Sequence, residues 1–299
     1  MLARQLQIAT FVSLIASITW VIYTQPCSTT LAILGVVVIL FNFVPILGLQ
    51  FLAARQLNKK ESPQLLATRW QTLRAWWLEV LTVPKVFSWR QAFRSQQVAD
   101  NIHDVFSQRG RRGVVFVHGF ICNRGMWTPW LKQLAHQKRA FVAVNLEPVL
   151  GSIDSYPPII EDAVQKVTQA TGLPPLLVCH SMGGLAVRSW LRMAPGNEAR
   201  VHHVVTIGTP HHGTWIGIDK VPPNMKQMKI GSDWLAQLAR EEPPARSKLF
   251  TCYYSNCDNI VFPTLTATLE GADNRAVHGD AHVVMVFNQR VMNESLAKL

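Results

Sequence analysis

The sequence predicts an α/β fold, a mostly parallel sheet with helices on both faces, preceded by two transmembrane helices. Two observations support this prediction. From Gln5 to Ala54 the 299-residue chain has no charged residue and no histidine, so the charges behind its net +11 lie outside that stretch. From Val114 onwards, short apolar runs alternate with helix-like spans, a pattern typical of parallel sheets. One part of the chain is therefore suited to lipid and the other to water.

The uncharged stretch divides into two apolar segments, at about 6–23 and 31–54. Each is near the roughly 20 residues that a helix needs to cross the hydrocarbon layer of a bilayer. The polar turn between them, Thr24–Thr30, predicts a helical hairpin, and we assign residues 1–60 to a membrane anchor. A cleaved secretory signal and a pair of buried core helices are alternative interpretations of the same residues.

Positive charges flank this hairpin at both ends. Arg4 precedes the first segment, and Arg55, Lys59 and Lys60 follow the second, whereas the turn carries no charge. The positive-inside rule then puts both ends of the hairpin in the cytoplasm. We therefore predict a membrane protein, of what we interpret as the bacterial inner membrane, whose C-terminal domain is cytoplasmic. A domain that faces the exterior is the alternative topology.

Residues 61–112 form a basic, amphipathic segment between the hairpin and the C-terminal domain. Apolar residues recur on one helix face: Leu66, Trp70, Leu73, Trp77 and Leu81. Ala75 and Glu79 lie on the opposite face. Attraction to anionic lipid explains the positive charge without nucleic acid, for which the sequence has no motif. We predict helices that lie in the bilayer interface, with packing on the soluble domain as the alternative.

The C-terminal domain, residues 113–299, alternates strands and helices. The predicted strands are Val114–Val117, Phe141–Asn145, Leu176–Cys179, His203–Ile207, Leu249–Tyr254 and Leu265–Leu269. The predicted helices are Met126–Lys138, Pro158–Thr171, Met182–Met193 and a closing helix at Val283–Leu296. Ligands of such sheets bind at the carboxyl ends of the strands, so we expect the functional residues there.

A serine follows one of these strands. The stretch LLVCHSMGGLAVRSWL, residues 176–191, places Ser181 at a tight turn between a strand and a helix. Small neighbours allow such a turn, and the free N–H groups of the helix point at the same place. The pattern is G-x-S-x-G with one departure, because Cys179 stands at the first glycine position. An ordinary turn with a capping serine is the alternative interpretation.

Three stretches together, VFVHGF, VCHSMGGLAVR and IGTPHHGT, resemble the lipases and esterases of the α/β-hydrolase family, most closely the bacterial triacylglycerol lipases. The resemblance covers about residues 113–299 and does not extend to the first 112. It implies the α/β-hydrolase fold and a serine hydrolase that cleaves carboxylic esters through an acyl-enzyme and needs no cofactor; no metal-ligating residue is assigned. Carried over from the family, the oxyanion hole consists of the backbone N–H groups of Phe120 and Met182.

The same family carries its catalytic residues in the order serine, acid, histidine. Asp258, in YYSNCDNIVFP, follows a predicted strand where the family has its acid. His282, in GADNRAVHGDAHVVMVF, fits the family pattern better than His278 does. The resemblance therefore implies a triad of Ser181, Asp258 and His282. Two other acids, Asp273 and Asp280, are too near the histidine in sequence to come from the end of the preceding strand.

The segment 214–248 is predicted to form a cap with an apolar inner face, or else to complete the core. Its apolar residues are Trp215, Ile216, Ile218, Val221, Met225, Met228, Ile230, Trp234, Leu235 and Leu238. The five cysteines show no metal-ligand spacing, although Cys252 and Cys257 could pair. The expected partners are a lipid or small apolar ester and the membrane, with no nucleic acid and no protein partner. An acyltransferase or thioesterase with the same triad, and a non-catalytic membrane-bound binding protein of this fold, are the alternatives.

Overall fold

A computed structural model describes residues 1–102, 108–193, 196–216 and 220–299. Its centre is a six-stranded sheet in the order β2-β1-β3-β4-β5-β6, and every neighbouring pair is parallel. The strands are β1 (Val114–Val117), β2 (Phe141–Ala143), β3 (Leu176–His180), β4 (His203–Ile207), β5 (Phe250–Tyr254) and β6 (Asp273–Ala276). The predicted α/β fold with a parallel sheet is confirmed.

Helices cover both faces of the sheet. They are α6 (Thr128–His136), α7 (Pro157–Thr171), α8 (Met182–Met193), α9 (Pro223–Met228), α10 (Asp233–Glu241) and α11 (Gln289–Leu296). Successive strand residues point to opposite faces, so Val115 and Val117 pack in one core with α7 and α8. Val114 and Phe116 pack in the other, against Trp127 and Trp130. Burial on both faces explains why the inner strands read as continuous apolar runs.

Two predicted elements of this domain are wrong. Residues Leu265–Leu269 are not a strand, because Thr264–Ala267 forms a 3₁₀ turn. The last strand is β6, an edge strand whose polar sequence Asp-Asn-Arg-Ala gives no apolar signal. The predicted closing helix Val283–Leu296 is split into a 3₁₀ turn and α11. The split occurs at Asn288, whose side chain accepts hydrogen bonds from the first N–H groups of α11.

Three helices make up the N-terminal part: α1 (Leu2–Thr24), α2 (Thr29–Phe41) and α3 (Phe43–Glu61). Helix α1 is long and apolar enough to cross a membrane and is almost entirely exposed. It packs against α2, where the indole Nε1 of Trp20 donates to Leu31 O at 3.0 Å. The absence of a side chain at Gly35 leaves room for that indole, since a Cβ there would lie 1.8 Å from Nε1.

The second predicted span, residues 31–54, is not one straight helix. Helices α2 and α3 meet at Asn42 with a bend of 50°, so the pair is at most a broken span. Pro45 explains the break, because its ring lacks an N–H and collides with the carbonyl four residues earlier, that of Phe41. The Asn42 side chain donates to Ile39 O at 2.8 Å and so satisfies one of the carbonyls at the end of α2.

Helix α4 (Arg69–Val83) begins with a reciprocal cap between Thr68 and Gln71 and continues through a π-helical turn, Pro84–Arg90, into the short α5 (Gln91–Phe93). It packs on the C-terminal domain through its small and polar face, where Ala75, Glu79 and Val80 are buried. The apolar face predicted from the sequence points outward, and its members are exposed: Trp70, Leu73, Trp77 and Leu81.

Candidate active site

Ser181 lies at the turn between β3 and α8. Its backbone has a φ of 53°, a conformation that side chains other than glycine rarely adopt. Two hydrogen bonds hold the turn: Ser181 N donates to Ile207 O at 2.9 Å, and Thr209 Oγ1 donates to Ser181 O at 2.8 Å. The strained turn pushes the serine hydroxyl above the carboxyl end of the sheet, next to the N-terminus of α8.

Glycines are needed around this turn because other segments approach it closely. A Cβ at Gly183 would lie 2.4 Å from Val117 O, and one at Gly119 would lie 2.7 Å from Ser181 Cβ. The loop after β1 therefore rests directly on the serine turn. Cys179, which replaces the usual first glycine of the pattern, is fully buried with its side chain in the core on one face of the sheet. The core thus accommodates the thiol at this position.

Asp258 and His282 are brought together by the ends of β5 and β6. Asp258 Oδ2 lies 2.9 Å from His282 Nδ1, and both side chains are buried. The other carboxylate oxygen, Oδ1, accepts hydrogen bonds from the backbone N–H groups of Ile260 and Val261, at 2.8 and 2.7 Å. Three partners thus fix the carboxylate, and one oxygen stays directed at the imidazole.

The imidazole of His282 is electrostatically tuned. Burial opposes its charged form, but the negative charge of Asp258, the hydrogen bond to Asp258 and the charge of Glu79 outweigh this and raise its pKa. The Ser181 hydroxyl forms no hydrogen bond with any residue that the structure describes, so the hydrogen bond between this hydroxyl and the His282 imidazole is not formed. Such contacts often tighten only when substrate is bound.

Two backbone amides flank the serine. The N–H groups of Phe120 and Met182 donate no hydrogen bond within the described ranges, although Met182 is 1% exposed and Phe120 packs against the core. Unpaired amide donors beside a serine are what an oxyanion requires. The loop that carries Phe120 is braced by His118: Nε2 accepts from Leu146 N at 3.0 Å, so Nδ1 carries the proton and donates to Gly119 O at 2.9 Å.

Four other histidines that the structure describes lie outside the Asp258–His282 pair. Burial lowers the pKa of His118 to about 4, which keeps the brace neutral. His180 packs its ring on that of His282, with centroids 4.5 Å apart, and its Nε2 lies 3.3 Å from His282 O. His211 is buried against Thr206 on β4. His278 is exposed, away from the Asp258 carboxylate.

The two alternative acids are occupied elsewhere. Asp273 pairs with Arg275, with 2.8 Å between carboxylate oxygen and guanidinium nitrogen. Asp280 accepts from the Asn288 side chain at 2.6 Å. Cys252 and Cys257, which could have paired, are both free thiols.

Glu79 is a residue of this site that the sequence did not indicate. It belongs to α4, is 1% exposed, and accepts hydrogen bonds from Val283 N at 3.1 Å and Val284 N at 3.2 Å. These are the two residues directly after His282. Burial raises the pKa of Glu79 to about 7, against the smaller opposing effects of the two hydrogen bonds and the charge of His282.

A cavity of about 550 Å³ opens beside Ser181. Its walls are mostly apolar and come from α3, the loop after β1, the segment after β4 and the loop after Asp258. The lining residues are Ile46, Leu49, Gln50, Ala53, Phe120, Ser181, Pro210, Thr214, Trp215, Ile216, Met225, Met228, Asn259, Ile260, Val261 and Phe262. A volume of this size and character is typical of a site for an apolar ligand.

The segment 214–248, predicted as a cap or as part of the core, contributes residues both to the cavity wall and to the core. Trp215, Ile216, Met225 and Met228 line the cavity. Other members, namely Leu235 and Leu238, are buried in the core on one face of the sheet. Ile218 lies outside the described residues.

A parallel sheet that leads from its third strand through a strained serine turn into a helix is the arrangement of the α/β hydrolases. The model of the alpha/beta hydrolase family matches residues 114–288. The chain therefore belongs to the alpha/beta hydrolase family, as its sequence motifs had predicted. The match starts at β1, so the N-terminal helices are an addition to the family domain.

Solved structures with the same fold include two lipases. A mature lipase of Bacillus licheniformis superposes with a TM-score of 0.54 at 17% identity, covering 63% of this chain and 91% of the lipase. Lipase B of Aspergillus fumigatus gives 0.52 at 16% identity, over 62% of this chain and 52% of that one. No curated protein matches the chain by sequence. At these identities the likeness shows the fold alone.

Proposed function

We propose that the protein is a membrane-anchored serine hydrolase that cleaves carboxylic esters of apolar acyl groups. The observation that carries the proposal is the Asp258–His282 pair, joined at 2.9 Å, at the same sheet edge as the strained turn of Ser181 and beside an apolar cavity. A turn that costs strain energy and exposes a hydroxyl to a cavity is typical of a nucleophile.

In this proposal Ser181 Oγ attacks the ester carbonyl carbon while His282 Nε2 takes the hydroxyl proton. Asp258 holds the Nδ1–H and stabilises the imidazolium, because its Oδ2 faces Nδ1 and its Oδ1 is held by two backbone amides. The N–H groups of Phe120 and Met182 stabilise the negative carbonyl oxygen.

The attack gives a tetrahedral intermediate. Its collapse breaks the ester C–O bond, and the leaving alcohol takes the proton from His282. The product of this half-reaction is an acyl group on Ser181. Water then attacks the acyl carbon, giving its proton to His282, and the second collapse releases the carboxylic acid and restores Ser181. No redox step and no further reactant is involved.

A lipid ester is the proposed substrate class. Support comes from the apolar walls of the cavity and from α1, whose length and composition suit a membrane span. We propose residues 1–60 as the anchor, 61–112 as a segment at the bilayer interface, and 113–299 as the catalytic domain with 214–248 as a cap. Under the positive-inside rule the domain would be cytoplasmic.

The test uses the full chain in detergent with a fluorophosphonate probe and p-nitrophenyl butyrate. Wild type should be labelled and should hydrolyse the ester, and Ser181→Ala should lose both. The matched control is Ser247→Ala, whose hydroxyl donates to Pro244 O far from the sheet edge, and it should behave as wild type. His282→Gln should reduce hydrolysis by about 10⁴-fold or more. Labelling that persists in Ser181→Ala would exclude this serine as the nucleophile.

A further inference from the structure

Two neighbouring faces of helix α3 make different contacts. Leu47, Phe51, Ala54 and Asn58 are buried, and they recur at the spacing of one helix face. Phe51 packs in a cluster with Ala75 of α4 and with Ala281, the residue before His282, and Ala54 is buried on the same face. This face attaches α3 to the catalytic domain.

The neighbouring face lines the cavity beside Ser181. Ile46, Leu49, Gln50 and Ala53, at positions i, i+3, i+4 and i+7, all contribute to its wall. Three of the four are apolar. Ile46 and Leu49 are 54% and 67% exposed, so they lie at the open side of the cavity.

Polar contacts fix α3 to the reacting groups. Gln50 Oε1 accepts from Asn259 Nδ2 at 2.9 Å, and Asn259 Oδ1 accepts from His282 N at 3.2 Å. About two turns further along, Asn58 Oδ1 accepts from the backbone N–H of Thr264 at 2.8 Å. The helix wall is therefore held in a defined position relative to His282.

The helix that precedes α3 also carries exposed apolar side chains. On α2, Ile33, Leu34 and Val38 are all more than half exposed. The chain bends by 50° at Asn42 and enters α3, whose Ile46 and Leu49 lie in the cavity wall. Exposed apolar side chains thus occur on α2 as well as at the open side of the cavity.

We propose that α3 forms one wall of an acyl-binding site, in which Ile46, Leu49 and Ala53 contact the fatty acyl chain of a bilayer lipid ester and limit its length. This inference rests on the proposed hydrolase function and names the element that selects the substrate. The occupant is an acyl chain because the wall is apolar and leads to the hydroxyl that would attack the ester.

The experiment compares kcat/KM for p-nitrophenyl butyrate and palmitate, using the full chain in detergent. Ala53→Trp fills the cavity and should lower the palmitate-to-butyrate ratio by about tenfold or more, since each lost methylene contact costs a several-fold factor. Leu49→Ala removes apolar contacts to the distal part of a long chain and should also lower the ratio. The matched control is Leu52→Trp, on the same helix but 64% exposed and not in the cavity wall, and its ratio should equal that of wild type.

The outcomes separate the two proposals. If wild type hydrolyses butyrate in a Ser181-dependent manner but neither Ala53→Trp nor Leu49→Ala changes the ratio, the α3 wall is wrong and the hydrolase function stands. If wild type cleaves neither ester and is not labelled by the fluorophosphonate, the hydrolase function fails and the wall with it. Leu49→Ala decides the question even if Ala53→Trp does not fold.

A second arm tests the source of the acyl chain. The full chain is reconstituted in vesicles that contain a fluorogenic long-chain ester, and the rate is compared with that for the same ester in micelles. Hydrolysis in vesicles that Ala53→Trp reduces and Leu52→Trp does not would support supply from the bilayer. Hydrolysis confined to micelles would overturn that part of the inference.

Discussion

The carboxylate of Glu79 accepts a hydrogen bond from the backbone N–H of Val283, at 3.1 Å. Val283 follows His282, so a helix from the N-terminal part of the chain holds the segment that carries the proposed catalytic base. The same carboxylate also accepts from Val284 N and contributes, after Asp258, to the raised pKa of His282. Helix α4 is thus coupled to the site both by geometry and by charge.

This coupling predicts a change in the pH profile of Glu79→Gln. Gln keeps one acceptor oxygen but removes the negative charge that favours the imidazolium, so the pKa of His282 should fall. Activity requires neutral His282, so the acidic limb of kcat/KM should move to lower pH. The plateau should fall about tenfold, because a hydrogen bond to a charged group is lost.

Glu79→Ala is the companion variant. It removes the charge and both acceptors. Its acidic limb of kcat/KM should therefore move to lower pH as in Glu79→Gln, and its plateau value of kcat/KM should be lower than that of Glu79→Gln. A limb that stays at the wild-type pH in both variants would show that Glu79 acts only on the fold.

Glu79 also predicts how stability depends on pH. Its pKa is raised from 4.5 to about 7 in the folded chain, so between these values the folded state keeps a proton that the unfolded state releases. This contribution is complete below pH 4.5 and is lost as the pH rises through about 7. The loss is on the order of 3 kcal/mol, at about 1.36 kcal/mol per pKa unit.

The measurement is the free energy of unfolding of wild type and Glu79→Gln in detergent, from pH 4.5 to 8. The free energy of unfolding of wild type minus that of Glu79→Gln should decrease as the pH rises. The other titrating groups are common to both proteins and cancel in this difference. Parallel pH curves for the two proteins would contradict the raised pKa.

Much of the domain was predictable because its signals are local. The bounds of β1, β4 and α8 follow from apolar runs buried on both faces and from the serine turn that starts the helix. Strand β6 was not predictable in this way, since it is held at the sheet edge by backbone pairing of Asp273–Ala276 with β5 rather than by apolar side chains.

The contribution of the N-terminal helices to the site is a long-range property. Glu79 and Val283 are 204 residues apart in sequence, and no periodicity links them. A signal did exist, since Glu79 is the single acidic residue of α4 and lies opposite its tryptophans. The sequence analysis placed Glu79 opposite the apolar face without assigning it a contact, and in the structure it is the Glu79 face that packs on the domain. Pro45 likewise marked the break in the second predicted span, but proline is tolerated in membrane helices.

The close approach of Gly119 to Ser181 predicts that a larger residue at position 119 disturbs the serine turn. In Gly119→Ala the new Cβ would lie 2.7 Å from Ser181 Cβ and 3.1 Å from His180 O, so the loop must move and carry the Phe120 N–H with it. We expect kcat to fall by about 10²-fold to 10³-fold, the usual cost of one oxyanion donor. Steady-state kinetics with a butyrate ester measures it.

The control for this substitution is Gly172→Ala. Its φ of 74° makes alanine strained, but nothing lies within 4 Å of the new Cβ. It should lose about 1 kcal/mol of stability and keep its kcat. Wild-type kcat in Gly119→Ala would mean that the loop after β1 supplies no donor to the reaction.

The exposed tryptophans of α4 predict a role at the bilayer interface. Trp70 and Trp77 are 72% and 54% exposed on the face opposite to Glu79, and Arg69 and Arg74 flank them. Indole rings and arginines are favoured at the level of lipid head groups. In the reconstituted chain, substitution of both tryptophans by alanine should reduce hydrolysis of a vesicle-borne ester about three- to tenfold, through poorer seating of the domain. Hydrolysis of a soluble butyrate ester should not change, because Trp70 and Trp77 do not line the cavity. The vesicle effect should be larger with anionic than with zwitterionic lipid. An equal loss of hydrolysis with both esters would instead assign the tryptophans to the stability of α4. No loss with either ester would place the two tryptophans outside the bilayer interface.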